Sequence, residues 1–180
     1  MNIHFEKASL KHKDTIFSWL AEPHMMEFWD NSQEHKDDIL NFIHKRKQHY
    51  FYGTTMYWVG LTDGEPFCFL LSDILQENQD LSAIHRNYMS KSGHTISLDF
   101  GIGNKNHLGK GLAAPTLAAF VNFYHNQIDP LADTFFIDPD ENNPRAKHVY
   151  TKAGFEQVGE FDVQDGVFKG SVSYLMVKKI

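Results

Sequence analysis

The sequence predicts a mixed α/β (α+β) fold, one domain over residues 1–180 built on a single sheet. Short β-rich runs alternate with amphipathic helical stretches along the chain. Hairpin signals lie toward both ends, at Asp63-Gly64 and Asp165-Gly166. A hydrophobic content of 42%, with 14% aromatic residues, supplies a core for one domain of 180 residues.

Taken in order, "IHFEKA" alternates as a strand, and Ser9 is placed to cap a helix with Ile16, Phe17 and Leu20 on one side. Pro23 breaks the pattern before the aromatic cluster "HMMEFWD". Asn31, with Glu34 three residues on, predicts a capped helix through about His49 that buries Ile39, Leu40 and Ile43. "MYWVGLTDGEPFCFLLSDI" predicts two antiparallel strands around Asp63-Gly64. Residues 76–93 are polar and aperiodic, a long loop of the kind that covers a site. "HTISLDFGIG" is a strand, residues 109 to about 127 a helix with Leu117, Phe120, Val121 and Tyr124 inward, and "TFFID" a short strand. A helix from Asn143 follows, then strands in "FEQVGEF" and "VFKGSVSYLMVKK" joined through Asp165-Gly166.

Charge and composition exclude several classes. Seventeen basic against 23 acidic residues give a net charge of −6, which disfavours nucleic acid as a partner. The single cysteine, Cys68, sits in the apolar run "PFCFLL", so no disulfide framework is available and a small buried hydrophobe is the expected role. No stretch of 18 apolar residues and no apolar leader occurs, so no membrane partner and a cytoplasmic location are expected. The 11 histidines lack metal-ligand spacing, and no metal is expected.

Two stretches carry chemistry. In "GIGNKNHLGKGLA", Gly109 and Gly111 precede a helix, where small residues let backbone N–H groups approach an anion such as a pyrophosphate and Lys110 adds charge. The spacing is neither a P-loop nor GxGxxG, and a glycine pair is also an ordinary tight turn. "DPDENNPRAKHVYTKAGF" opens like a calcium loop but has Asn143 where the sharp turn needs glycine and Val149 where a bidentate glutamate is needed. It reads instead as a helix capped by Asn143, with Pro144 in its first turn, Ala146, Val149, Tyr150 and Ala153 inward, and Gly154 at its end. Taken singly, Tyr150 is equally a core aromatic, Asp138 a turn residue and Asp99 a solvent-facing strand residue.

The order strand, NHLGKGLA, strand, then Asn143-x-x-Ala146-x-x-x-Tyr150-x-x-x-Gly154-Phe155 resembles the GNAT superfamily of acetyl-CoA-dependent acyltransferases. The match follows the whole chain in element order and is most specific over residues 94–161. Asn106 departs from the Gln or Arg usual at that point. The resemblance implies a mostly antiparallel central sheet flanked by helices, with central strands splayed at the CoA site. It implies acetyl-CoA as cosubstrate, its pyrophosphate on the amides of Leu108, Gly109, Lys110, Gly111, Leu112 and Ala113. The strand from Asp99 through Phe100, Gly101 and Ile102 would pair with the pantetheine arm, and Asn143 would contact that arm. Tyr150 would protonate the departing thiolate.

Within the superfamily the chain looks most like aminoglycoside 6′-N-acetyltransferases, then like siderophore hydroxylamine acetyltransferases. Both share the segment seen here as "SWLAEPHMMEFWD" and the "DGEP" turn. Asp99 and the set Asp138, Pro139 and Asn143 match the aminoglycoside branch, which implies a polycationic small-molecule amine as acceptor. Asp99 would take the ammonium proton, Asp138 would hold positive charge, and Phe28 and Trp29 would wall the acceptor, with a core role favoured for one of the two. The alternatives are hydroxylamine acylation and a noncatalytic acyl-CoA-binding sensor. A monomer or homodimer is expected.

Overall fold

Side-chain alternation and glycine placement account for most of the strands and turns in the computed structural model, which describes residues 2–180. Strand β1 (Ile3–Lys7), β2 (Met56–Thr62), β3 (Glu65–Leu75), β4 (His94–Ile102), β5 (Ala132–Ile137), β6 (Glu156–Asp162) and β7 (Val172–Lys179) form one sheet in the order β1-β2-β3-β4-β5-β7-β6. The β4–β5 pair is parallel, whereas β1–β2, β2–β3, β5–β7 and β6–β7 are antiparallel. This is the mixed, helix-flanked sheet expected from the sequence. By chain contacts the molecule divides into two units, Met1–Asp73 with Phe100–Leu112, and Ile74–Asp99 with Ala113–Ile180.

In the first unit, Asp63 (φ 51°) and Gly64 (φ 84°) both take the left-handed conformation that a two-residue hairpin turn requires, closing β2 onto β3. Cys68 lies fully buried on β3, beside Gly60 of β2; a Cβ built at Gly60 would come within 2.3 Å of the Cys68 Sγ. Ser9 opens a 3-10 turn, Leu10–His12, that leads into helix α1 (Lys13–Leu20), with Ile16 and Leu20 fully buried. Pro23 does not simply interrupt the chain but starts a short helix, α2 (Pro23–Met26), in the first turn, where its missing N–H costs nothing.

Helix α3 (Gln33–Ile43) is shorter than its sequence pattern suggested. Its cap is Ser32, whose hydroxyl accepts from the His35 N–H at 3.2 Å, rather than Asn31. It stops at Ile43 rather than about His49 for two reasons. The following "HKRKQH" offers no apolar side chain to bury, and the buried carboxylate of Asp38 draws the chain back. Asp38 accepts from Gln48 Nε2 at 2.8 Å, from the His49 and Tyr50 N–H groups at 3.2 Å each, and from the Tyr57 hydroxyl at 2.9 Å. The core of this unit gathers Ile16, Leu20, Met25, Ile39, Tyr57 and Phe69, among others.

In the second unit, residues 76–93 are not the featureless loop the sequence suggested. Ser82 caps a short helix, α4 (Ala83–Tyr88), whose Ile84 packs so closely on β6 that a Cβ on Gly159 would lie 2.1 Å from it. Leu81, Ile84, Tyr88 and Met89 pack on Leu75, Phe136, Leu175 and Val177, so apolar residues scattered too thinly to show a period still anchor this segment. Helix α5 (Ala113–Phe123) begins four residues later than expected, because Gly109 and Gly111 both adopt φ 72°, which no helix accommodates. Leu117, Phe120, Val121 and Tyr124 are buried as anticipated, Tyr124 on a π turn that continues the helix to Ile128. Helix α6 (Pro144–Lys152) follows β5. Asp165-Gly166 does not make a tight hairpin: residues 163–171 form a longer connection, with Gly166 and Gly170 both at positive φ.

One buried acid of the first unit sets a pH dependence. Asp73 is 6% exposed and accepts from Thr55 Oγ1 at 3.0 Å on both carboxylate oxygens and from Thr54 Oγ1 at 3.3 Å. Burial pushes its carboxyl up to about 6, against the lowering effect of those hydroxyls. Between the ordinary aspartate range and about 6, the folded chain therefore holds a proton that the unfolded chain has released. Asp73 thus favours folding in acid, and that contribution is lost as pH rises through 6. Relative to wild type, Asp73→Asn gains on the order of 1–3 kcal/mol of stability between about pH 4 and about pH 7.5, as read from urea unfolding midpoints.

Candidate active site

The parallel pairing of β4 with β5 runs from His94↔Ala132 to Leu98↔Ile137 and ends there, while β4 continues to Ile102. This is the strand separation the sequence led us to expect. The next residue on each strand is an aspartate, Asp99 on β4 and Asp138 just past β5. Parallel strands in register project the side chains of facing residues to the same side, so the two carboxylates emerge together where the ladder stops. Both are half-buried.

The chain beyond Asp138 is tied down on both sides. Pro139 is buried and its carbonyl accepts from the Tyr174 N–H at 3.0 Å; the Glu141 N–H donates to the Val172 carbonyl at 2.9 Å. Asp140 accepts from the Asn142 N–H at 2.8 Å, a local turn bond, and no group of acidic, histidine or cysteine side chains able to hold a metal occurs among the described residues. Asn143 then caps α6, its Oδ1 accepting from the Ala146 N–H at 3.0 Å, and Pro144 occupies the first turn. Gly154, at φ 92°, terminates the helix. This framing turns Tyr150 inward to 8% exposure, with Ala153 at 3%.

Tyr150 faces the two aspartates electrostatically. Burial raises the ionisation of its phenol well above the ordinary range, and the charges of Asp99 and Asp138 raise it further. Burial likewise raises the Asp138 carboxyl, with the Asp99 charge as the next cause. The cluster therefore combines a neutral O–H donor with two carboxyl groups that oppose each other's ionisation. It can attract a cation, accept a proton and deliver a proton.

The continuation of β4 belongs to the first unit. Phe100 is buried. A Cβ on Gly101 would lie 2.9 Å from both Met25 and the Trp29 indole nitrogen, and one on Gly103 2.2 Å from Trp19. Trp19 of α1 thus dictates glycine at 103, and Met25 and Trp29 of the segment that follows dictate it at 101. Trp29 packs on Phe69 with ring centroids 5.3 Å apart, which places it against the core; Phe28 is half-buried. The His24 ring nitrogen Nε2 lies 2.9 Å from the Ile102 carbonyl. Sequence reading missed this contact, for which the only signal was a polar ring beside the apolar Met25 and Met26.

After β4, Asn104 caps a single turn, Lys105–His107, and Leu108 returns to extended backbone. Gly109 and Gly111 follow, exposed and left-handed, with no protein atom within 4 Å of where a Cβ would stand. Nothing in the fold's packing calls for glycine here, so conformation alone does. The chain passes from Leu112 into α5 at Ala113, whose first-turn N–H groups have no helical carbonyl to reach. With no side chain at Gly109 or Gly111, the loop's backbone is open to close approach by a ligand. Lys110 between them is exposed.

The sequence pattern of the Acetyltransferase (GNAT) domain matches residues 9–163. Aminoglycoside N(6′)-acetyltransferase type 1 from Klebsiella pneumoniae is 26% identical over 157 residues, 84% of this chain and 72% of the relative. A kanamycin resistance protein from Rhizobium radiobacter is 38% identical over 69 residues, 38% of this chain and 62% of that protein. In fold, the chain is similar to the crystal structure of an aminoglycoside N(6′)-acetyltransferase from Legionella pneumophila, with a TM-score of 0.76 at 22% identity over 99% of this chain and 94% of the other. The aminoglycoside acetyltransferase AAC(6′)-Ib, solved with coenzyme A and kanamycin, gives the same TM-score at 22% identity, covering 99% and 95%. With the family pattern running through residues 9–163 of 180, the chain belongs to the GNAT acetyltransferase family.

Proposed function

We propose that this protein transfers an acetyl group from acetyl-CoA to an amine of a polycationic small molecule, an aminoglycoside at its 6′-amino group. The observation that carries the reading is the meeting of Asp99, Asp138 and Tyr150 where β4 and β5 part. Acetyl-CoA supplies the acetyl group as an activated thioester. The amides from Leu108 to Ala113 bind its pyrophosphate, and the backbone of Phe100, Gly101 and Ile102 serves as an edge for the pantetheine arm. Asn143, besides capping α6, contacts that arm. Phe28 and Trp29 line the acceptor site. Asp99 accepts a proton from the acceptor's ammonium, directly or through water, so that a neutral amine attacks. Tyr150 gives its phenolic proton to the leaving sulfur. The protein works in the cytoplasm as a monomer or homodimer. Among the described residues no helix is long and apolar enough to cross a membrane.

The substrate class is tested by following thiol release from acetyl-CoA with kanamycin, simple monoamines and N-hydroxylysine. The proposal expects kanamycin to be used best. Faster turnover of the hydroxylamine would move the assignment to siderophore chemistry, and acetyl-CoA binding without turnover on any acceptor would leave a sensor.

Two variants test the roles. Tyr150→Phe should lower kcat about 10²-fold with little change in KM, since a positioned proton donor acts in the transition state. Gly111→Val meets no neighbouring atom but forces a branched residue to φ 72°, which costs about 1–2 kcal/mol. The variant should remain folded by circular dichroism and lose acetyl-CoA binding by calorimetry. Unchanged affinity in the folded variant would remove the loop from the cofactor site.

A further inference from the structure

The glycine loop has little packing of its own to hold it. Gly109, Lys110 and Gly111 are exposed, no protein atom lies within 4 Å of a Cβ at either glycine, and ordering glycine costs more backbone entropy than ordering any other residue. On its amino-terminal side the loop takes its position from the turn that precedes it. That turn is fastened to β3: the Gly103 and Asn104 N–H groups both donate to the Phe67 carbonyl, at 3.0 and 3.1 Å, and Asn104 Nδ2 reaches the Pro66 carbonyl at 3.4 Å. Within the turn, Asn104 Oδ1 accepts from the Asn106 N–H at 3.0 Å, and the Asn104 and Lys105 carbonyls accept from the His107 and Leu108 N–H groups at 2.9 and 3.1 Å.

One side chain of the β2–β3 hairpin reaches both ends of this turn. Glu65, the first residue of β3, directly follows the left-handed pair Asp63-Gly64, so its backbone is fixed. Its Oε1 accepts from Asn104 Nδ2 at 3.0 Å, and its Oε2 lies 3.8 Å from His107 Nε2. The His107 ring rests near Phe67 with centroids 5.4 Å apart, and its Nδ1 is buried with no hydrogen-bond partner, so the carboxylate is the polar group that orients this ring. Lys105, between the two, pairs instead with Glu22 at 2.6 Å. His107 stands two residues before Gly109.

We propose that Glu65 is a positioning residue for the cofactor loop: its two oxygens hold Asn104 and His107, and so preset the backbone of residues 108–111 for the pyrophosphate of acetyl-CoA. This rests on the reading of that loop as the pyrophosphate site. Glu65 acts through the turn and not through its charge, because a carboxylate repels phosphate groups. The two kinds of action have opposite signs. Loss of the charge alone tightens cofactor binding, whereas loss of the grip leaves two glycines to be ordered by the ligand itself and weakens it.

Calorimetry with acetyl-CoA on wild type, Glu65→Ala and Glu65→Gln is combined with backbone amide NMR relaxation of the same free proteins. A grip by an exposed carboxylate is modest, so Glu65→Ala should bind acetyl-CoA about three- to tenfold more weakly. Its urea midpoint should match wild type, and the amides of residues 105–111 should gain motion on the picosecond-to-nanosecond scale while those of β2 and β3 keep theirs. Glu65→Gln, which retains an acceptor for Asn104, should recover most of the affinity. Affinity equal to or above wild type in Glu65→Ala would overturn the proposal, as would a loss of affinity with unchanged loop motion. The underlying reading is checked in the wild type alone. Gly109 and Gly111 amide signals that stay in place on addition of acetyl-CoA would take the pyrophosphate away from this loop, and the role of Glu65 with it; shifts there beside an unaffected Glu65→Ala would overturn only the role of Glu65.

Discussion

The chemistry of the second unit depends on where one ladder of hydrogen bonds stops. Strands β4 and β5 pair in parallel from Thr95 to Leu98 and from Thr134 to Ile137, and the ladder stops where each chain reaches an aspartate. Pro139 enforces the separation from the β5 side, because a proline has no N–H to donate to a further rung. The antiparallel addition of β7 on the far side of β5, at Thr134↔Lys179 to Ile137↔Met176, holds the end of β5 steady. Helix α6 then has a fixed wall against which to present Tyr150.

Sequence and structure agree best where local chemistry decides the backbone. Asp63-Gly64 and the Asn143-Pro144 cap were legible because positive φ and unsatisfied helix N–H groups demand a narrow set of residues. Buried helix faces, such as Leu117, Phe120, Val121 and Tyr124, were legible from their period. What escaped was decided by distant contacts. The end of α3 is set by Asp38, a residue whose four donors come from residues 48–57, and no local pattern announces a carboxylate that collects them. The packing of α4 on β6 hinges on the absence of a side chain at Gly159, which a sequence reading treats as a weak point in a strand.

The site followed the same division. Tyr150, Asp99 and Asp138 could be singled out by residue type and by resemblance, and the structure brings them into electrostatic contact. Their mutual influence was not legible, because it arises from strand register and desolvation, neither of which is written in residue identity. The glycines differ among themselves in a way the sequence hides. Gly101 and Gly103 are required by the bulk of Met25, Trp29 and Trp19, whereas Gly109 and Gly111 are required by backbone conformation in open space. The first pair answers to the core and the second to a left-handed turn.

Cys68 offers a consequence of another kind. Its thiol is buried between β2 and β3, tucked into the space left by Gly60, and burial holds its ionisation far above the ordinary thiol range. A thiol that neither meets solvent nor ionises is a poor partner for disulfide reagents and oxidants alike. The folded protein is therefore silent toward colorimetric thiol probes. Any sulfhydryl counted in its presence comes from solution, and a slow rise in signal from the protein itself reports unfolding.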